Sequence, residues 1–163
     1  MTTTINAAFN LTASASKGIT TTDPTASSPG TQMNLGSYQQ NFNAATTPNG
    51  LDCWSGHVAL SGGVATIDLT SVLQVSLNVT FNGTGLKLRY FEIVPDSTNV
   101  NPIQVGTGAT NGYGALGVQS AMNAGDIRFG TTTGATAVGS TNKTLDFAGT
   151  GTQGCEVLLV FGS

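Results

Sequence analysis

The chain has 163 residues and a net charge of −3, which is enough sequence for one domain with a sizeable core. Only 8% of the residues are charged and 22 are glycine, a composition that is typical of strands and turns and disfavours long surface helices. The five basic residues are scattered, which argues against a nucleic-acid partner, and no apolar run approaches the roughly twenty residues that a membrane span needs.

The first third of the chain gives weak signals. Met1 to Ile5 show neither a basic region nor an apolar signal core, so we expect a soluble protein made in the cytosol. Apolar and polar residues alternate over 4–13, which predicts a strand. Residues 14–30 are rich in Ser and Thr, and we predict a long loop or an extended arm that contact with a neighbouring subunit would order. The stretch 31–45 fits neither period well and is interpreted as a short strand.

The strongest pattern begins at His57 and predicts consecutive antiparallel strands as far as Val94. Two strands within 57–69 flank Ser61-Gly62-Gly63, whose glycines supply the positive backbone angles of a tight hairpin. From Leu73 to Phe81 apolar residues occupy the odd positions and polar residues the even ones. That period of two predicts a single half-buried strand.

A second alternation follows the glycine-containing turn at 82–85. Leu86, Leu88 and Tyr90 alternate there with two basic residues, Lys87 and Arg89. This predicts another strand, which ends at Pro95.

Residues 106–117 hold five glycines around Asn111-Gly112-Tyr113. We predict a mobile or tightly folded loop that displays Tyr113. One helical turn is predicted after it, at 118–124.

The remaining strands are short, with one exception. Residues 100–105 are predicted to form an edge strand because Pro102 cannot donate to a ladder. Residues 126–129 and 144–148 are also predicted strands. Residues 155–161 have apolar side chains on both faces, which predicts a central strand covered on two sides.

Roughly eight to ten short strands without strand–helix alternation indicate an all-β protein. We predict an antiparallel β-sandwich, jelly-roll-like, with long Gly- and Thr-rich loops. The prediction is a single domain over 1–163, with 14–30 as a long loop or arm.

No catalytic or metal-binding signature stands out. Asp52, Ser55 and His57 lie too close together along one strand to converge as a catalytic triad, so His57 is interpreted as a hydrogen-bonded structural residue. Because it is the sole histidine, an imidazole metal site has no second ligand. We expect no enzymatic activity, no cofactor and no metal. Cys53 and Cys155 are expected to be free thiols in a reducing cytosol.

Trp54 and Tyr113, each near glycine, have two interpretations. Both side chains in one groove would make a stacking platform for a sugar. The favoured interpretation is core packing for Trp54 and a subunit contact for Tyr113.

Several passages resemble the decoration or cement proteins, also called head-stabilising proteins, of tailed bacteriophages. They are Gly62-Gly63-Val64-Ala65-Thr66-Ile67-Asp68-Leu69-Thr70, Asn111-Gly112-Tyr113, Lys143-Thr144-Leu145-Asp146-Phe147-Ala148-Gly149-Thr150-Gly151 and Glu156-Val157-Leu158-Leu159-Val160-Phe161-Gly162. The resemblance implies a β-sandwich on the outer surface of a viral head, often a trimer, that clamps neighbouring capsomers of the major capsid protein. It brings no catalytic residues.

The expected function is therefore that of a non-enzymatic structural protein of a virion. The expected partners are the major capsid protein and further copies of the chain, with no nucleic acid and no membrane. From composition we place the contacting surface in 14–30 and 106–117, with Lys17, Thr20, Asn111 and Tyr113 as candidate residues. The alternative is a carbohydrate- or receptor-binding β-sandwich module, such as a phage fibre or tail tip domain.

Overall fold

The structure, a computed structural model, describes residues 7–17, 31–42, 52–74, 79–117 and 120–163. The chain divides into two compact units, one formed by Ala7–Asn41 and a larger one within Phe42–Ser163. The prediction of one domain over 1–163 stays a prediction.

The smaller unit is a two-stranded sheet of β1 (Ala7–Lys17) and β2 (Thr31–Phe42). β1 confirms the predicted first strand over 7–13, and residues 4–6 of that prediction lie outside the described residues. β1 continues to Lys17, so the first four residues of the predicted arm belong to this strand. The rest of the arm, 18–30, lies outside the described residues. β2 is a strand of 12 residues, longer than the short strand predicted there.

The larger unit contains two antiparallel sheets, whose strands come from distant parts of the sequence. One has the order β4-β10-β8 and the other the order β3-β11-β7-β9. A further pair, β5-β6, forms a separate two-stranded sheet. The strands are β3 (Asp52–Ala59), β4 (Val64–Asp68), β5 (Val72–Gln74), β6 (Val79–Phe81), β7 (Lys87–Pro95), β8 (Gln104–Thr107), β9 (Arg128–Thr131), β10 (Thr144–Ala148) and β11 (Gly154–Gly162).

The core of this unit lies between its two sheets. Leu145 and Phe147 of β10 belong to the same buried cluster as Leu159 and Phe161 of β11. β11 is central, between β3 and β7, as the apolar residues on both of its faces predicted. The fold is thus all-β and antiparallel, with the layered arrangement of a sandwich. Jelly-roll connectivity stays a prediction.

The tight turn at Ser61-Gly62-Gly63 is confirmed, but the hairpin around it is not. Gly62 and Gly63 have φ values of 62° and 87°, and the Ser61 N–H donates to the Val64 carbonyl at 2.9 Å. However, β3 pairs with β11 and β4 with β10. The turn is a corner that passes the chain from one sheet to the other.

The single strand predicted over 73–81 is also wrong. β5 and β6 occupy the two ends of this stretch and pair with each other in antiparallel register, with Leu73 opposite Thr80. Residues 75–78 lie outside the described residues. Leu73 is 51% exposed, whereas Phe81 is buried. Residues opposite each other in a ladder share a face, so Leu73 shares a face with the exposed Thr80, and Phe81 lies on the other face with Val72. The odd positions 73 and 81, which one strand would place together, are therefore separated by the pairing.

A bulge in β7 places Tyr90 on a different face of the sheet from the one that the alternation of apolar and polar residues predicted. Leu88 lies opposite Phe161 and Tyr90 opposite Val160, which leaves Arg89 as an extra residue. An extra residue reverses the alternation of faces beyond it. Leu88 therefore belongs to the core cluster and Tyr90 does not, although both are buried.

Other strand predictions hold with shifted ends. β8 is at the edge of its sheet, as Pro102 predicted, and β10 matches 144–148. The helical turn lies earlier than predicted, as a 3-10 helix at Gly114–Leu116. Within 118–124, the described Met122 forms a bridge with Ile103 instead.

The two cysteines are free thiols on neighbouring strands. Cys53 lies opposite Val160 and Cys155 opposite Val58, so the register separates them along the sheet. Burial raises the pKa of the Cys155 thiol to about 12, which makes it unreactive at neutral pH.

Candidate interaction surfaces

Tyr113 is a buried anchor, so the expectation that its loop displays it is wrong. Its side chain is 0% exposed. The hydroxyl accepts a hydrogen bond from the Leu88 N–H and donates one to the Thr136 carbonyl, both at 2.9 Å. Burial raises the pKa of Tyr113, partly offset by the Leu88 N–H and the Arg89 charge. Tyr113 therefore ties its loop to β7 and to the segment around Thr136.

Glycine packing makes this loop tight. A Cβ atom on Gly112 would lie 2.1 Å from the Gly108 carbonyl oxygen, and one on Gly108 would lie 2.0 Å from the Thr144 hydroxyl oxygen. Real side chains do not approach so closely, so both positions require glycine. These two glycines allow the backbone of the loop to pack closely. Of the two predicted alternatives, a mobile or a tightly folded loop, the tightly folded one is confirmed.

Asn111 lies at the exposed tip of the segment 107–112, which we call the Asn111 loop. It adopts a left-handed backbone with φ of 53°, a conformation that Asn tolerates better than most residues. Its carbonyl accepts the N–H groups of Lys143 and Thr144 at 2.6 and 3.0 Å. The Asp146 carboxylate accepts the Ala109 N–H at 2.8 Å, which fixes the middle of the loop.

The other two candidate residues are outside the described part of the larger unit. Lys17 is the last residue of β1, in the smaller unit. Thr20 lies outside the described residues. Of the four candidates, the structure thus places Asn111 and Tyr113 together, one exposed and the other buried beneath it.

Lys143, whose N–H bonds to the Asn111 loop, has a paired charge. The Lys143 ammonium lies 2.5 Å from an Asp68 carboxylate oxygen. Burial alone would raise the pKa of Asp68, but hydrogen bonds from Lys143 and from the hydroxyl and N–H of Thr70 lower it. Arg89 is buried and donates to the Thr133 carbonyl at 3.0 Å.

Asp52, Ser55 and His57 do not converge, as the sequence predicted. Because side chains alternate along β3, Asp52 and the other two residues lie on opposite faces. His57 Nε2 lies 2.9 Å from Asp96 Oδ2 at an exposed position, the hydrogen-bonded structural role expected for it. In the described part of the chain, no cluster of three or more His, Cys, Asp or Glu side chains is arranged to hold a metal ion.

Trp54 packs in the core, the favoured interpretation of the sequence. It is 3% exposed, and its indole N–H donates to the Leu73 carbonyl at 3.2 Å. With both Trp54 and Tyr113 buried, the alternative interpretation, a sugar-stacking platform, is wrong. The subunit contact favoured for the Tyr113 side chain is wrong for the same reason.

The sequence did not reveal a second surface, a cleft of about 360 Å³. It lies at the end of the β4-β10-β8 sheet opposite to the Asn111 loop. Ala148 closes β10 and lies opposite Gln104 of β8. Both line the cleft, together with Asn101, Pro102, Ala121, Gly149 and Thr150. The lining comes from three distant segments, so no local pattern marks it.

Gln153 holds two walls of the cleft together. It is 6% exposed, and its amide oxygen accepts the Thr150 N–H at 2.5 Å while its amide nitrogen donates to the Asn101 carbonyl. A Cβ atom on Gly149 would lie 2.6 Å from that amide oxygen, so a side chain at this position would displace the Gln153 amide.

The Asn111 loop and the cleft lie at opposite ends of β10. Thr144 contacts the loop and Ala148 lines the cleft. Thr144 and Ala148 are four positions apart on an extended strand, so about 13 Å separates the loop from the cleft.

Comparison with known proteins gives no relative: no protein-family model, curated protein or solved structure matches this chain significantly. Among the described residues, no helix is long and apolar enough to cross a membrane.

Proposed function

We propose that this chain is a non-enzymatic structural protein of a virus particle, a decoration or cement protein that binds the outside of a bacteriophage head and stabilises contacts between capsomers. The observation that carries the proposal is the Asn111 loop, a tightly packed and exposed loop on a β-sandwich whose own side chains carry no charge. Its partner in this proposal is the major capsid protein.

The chemistry of the loop suits docking between proteins. Its sequence, Thr107-Gly108-Ala109-Thr110-Asn111-Gly112, has no ionisable side chain. The side chains of the loop itself therefore bring no ion out of water on binding, a step that costs several kcal/mol for each charge. Because Tyr113 and the two glycines already fix the loop, little conformational entropy is lost on contact.

Trimeric assembly completes the proposal. Three copies of a weak contact on one particle gain avidity, because the second and third bind at high effective concentration. A neutral surface also allows copies of the chain to pack together without repulsion. The proposed location is the outer surface of the head, after synthesis in the host cytoplasm.

The first test is the copy number of the chain in purified particles. Particles from a density gradient are analysed by quantitative mass spectrometry, with the main coat protein as the internal reference. A ratio near one chain per coat subunit supports the proposal. A few copies per particle indicate a tail or fibre protein, and absence from particles overturns a virion role.

The second test maps the surface. Undecorated heads are incubated with the purified chain and pelleted. Thr110→Arg places a charge in the Asn111 loop, and Thr152→Arg places the same charge on an exposed residue near the opposite end. We expect the first variant to bind at least about tenfold more weakly and the second to bind normally. Equal binding by the two variants would exclude the Asn111 loop as the contact.

A further inference from the structure

The cleft carries an inference beyond head binding. It has no ionisable side chain in its lining. A phosphate, a carboxylate or a metal ion entering it would lose water without gaining an opposite charge. Its volume of about 360 Å³ lies within the usual range for small-ligand sites, about 300–1,000 Å³.

Hydrogen-bonding groups at the cleft are free. Within the part of the chain that the structure describes, the polar side-chain atoms of Asn101, Gln104 and Thr150 make no hydrogen bond. The nearby carboxamides of Asn99 and Gln153 are both engaged with the backbone. A carboxamide offers donors and an acceptor together, which matches the hydroxyl groups of a neutral ligand.

The apolar part of the lining fits the same ligand. Pro102, Ala121 and Ala148 are exposed and present small apolar surfaces beside the free amides. The C–H face of a sugar ring packs on such a surface while its hydroxyls bond to the amides. Because the Gln153 contacts fix the walls before binding, little ordering is needed.

An extended peptide is a poorer fit. A peptide that adds to a sheet edge needs free backbone groups there. At the start of β8, however, the Ile103 N–H and carbonyl both bond to Met122, at 2.9 and 2.8 Å. This closes the β8 edge beside the cleft to strand addition at that residue.

We propose that this cleft binds one residue of a neutral saccharide, with Asn101 and Gln104 as the recognising side chains and Pro102 as the apolar wall. The cleft lies at the end of the sheet opposite the Asn111 loop. A chain docked through that loop therefore presents the cleft away from the docked end, where it meets glycans outside the particle.

The test uses the full chain, labelled with ¹⁵N, and a panel of neutral methyl glycosides of glucose, galactose, mannose and N-acetylglucosamine. Amide chemical shifts are followed during titration, with sialic acid as the anionic comparison. We expect at least one neutral glycoside to shift the amides of Gln104, Ala121 and Thr150. We expect sialic acid to leave them unchanged.

Variants assign the site. Asn101→Ala and Gln104→Ala should each weaken binding by about tenfold, the loss of one or two hydrogen bonds. Ala121→Leu, which fills the cleft and keeps the Asn101 and Gln104 carboxamides, should abolish saccharide binding. The matched control is Asn123→Ala, since Asn123 is exposed but does not line the cleft.

Four outcomes overturn the proposal. They are the absence of any shift with the neutral panel, a response to sialic acid alone, full binding by the Asn101→Ala/Gln104→Ala double variant, and cleft shifts produced only by intact heads. The last outcome would make a protein the occupant. Since the cleft variants leave the Asn111 loop intact, head binding is measured separately and its failure is distinguishable.

Discussion

Replacing Tyr113 by Phe deletes one oxygen atom from the core, and its effect follows from two contacts. The Leu88 N–H loses its acceptor, and because Leu88 is 0% exposed no water takes the place of the hydroxyl. An unsatisfied buried donor costs about 1–3 kcal/mol. Thr136 is exposed, so its carbonyl is rehydrated and only the net value of a hydrogen bond is lost, about 1 kcal/mol. We expect the free energy of unfolding to fall by about 2–4 kcal/mol.

Urea unfolding followed by Trp54 fluorescence measures this loss. With a slope of about 2 kcal/mol per molar urea, the midpoint should fall by about 1–2 M. The control is Thr66→Val, which removes a hydroxyl that donates to Asp146 at an exposed position. Water replaces that contact, so we expect a loss below about 1 kcal/mol.

The alkaline range gives a second readout for Tyr113→Phe. Burial raises the pKa of Tyr113 above its ordinary value of about 10. The stabilisation from the neutral hydroxyl is therefore complete below pH 10 and is lost as the pH rises through the folded-state pKa. The wild-type advantage over Tyr113→Phe should narrow in that range. Equal losses for Tyr113→Phe and Thr66→Val at pH 7 would refute the anchoring role.

Three further predictions concern the same unit. Gly112→Ala should unfold the Asn111 loop and lower the free energy of unfolding by several kcal/mol, because its Cβ would clash with the Gly108 carbonyl oxygen. Gly114→Ala, which has open space around its Cβ, should change the free energy of unfolding by less than about 1 kcal/mol, and thermal melts of the two variants measure the difference. Lys143→Gln should destabilise at pH 7, and its effect should shrink as the pH falls from about 4 through the lowered folded-state pKa of Asp68, because the stability from the ion pair is lost as that carboxylate is protonated. An equal loss at pH 2 and pH 7 would contradict the pairing. Trp54, at 3% exposure, should resist quenching by acrylamide until the chain unfolds.

The sequence predicted best those strands whose own residues indicate which faces are buried and whether the strand lies at an edge. β11 has apolar residues on both faces, and it lies between two other strands. β10 alternates cleanly and matches its predicted bounds. Pro102 predicted an edge because the missing N–H is a local property of the residue.

The failures have non-local causes. The bulge at Arg89 turns Tyr90 to the other face, and no glycine marks it in the sequence. Tyr113 was expected at the surface because glycines surround it, but those glycines let the backbone pack tightly and the ring enter the core. The cleft joins residues about 50 positions apart, so only the fold brings them together.

The position of β11 also sets the order of events during synthesis. This strand is made after both of its neighbours, yet it lies between them, with Phe161 opposite Asp52 and Leu88. Until the ribosome has released Gly162, β3 and β7 each have an unpaired edge in the place where β11 belongs. Such edges recruit strands from other chains. A nascent chain stalled at Gln153 should therefore aggregate, and a chaperone that shields these two edges should raise the yield of folded protein.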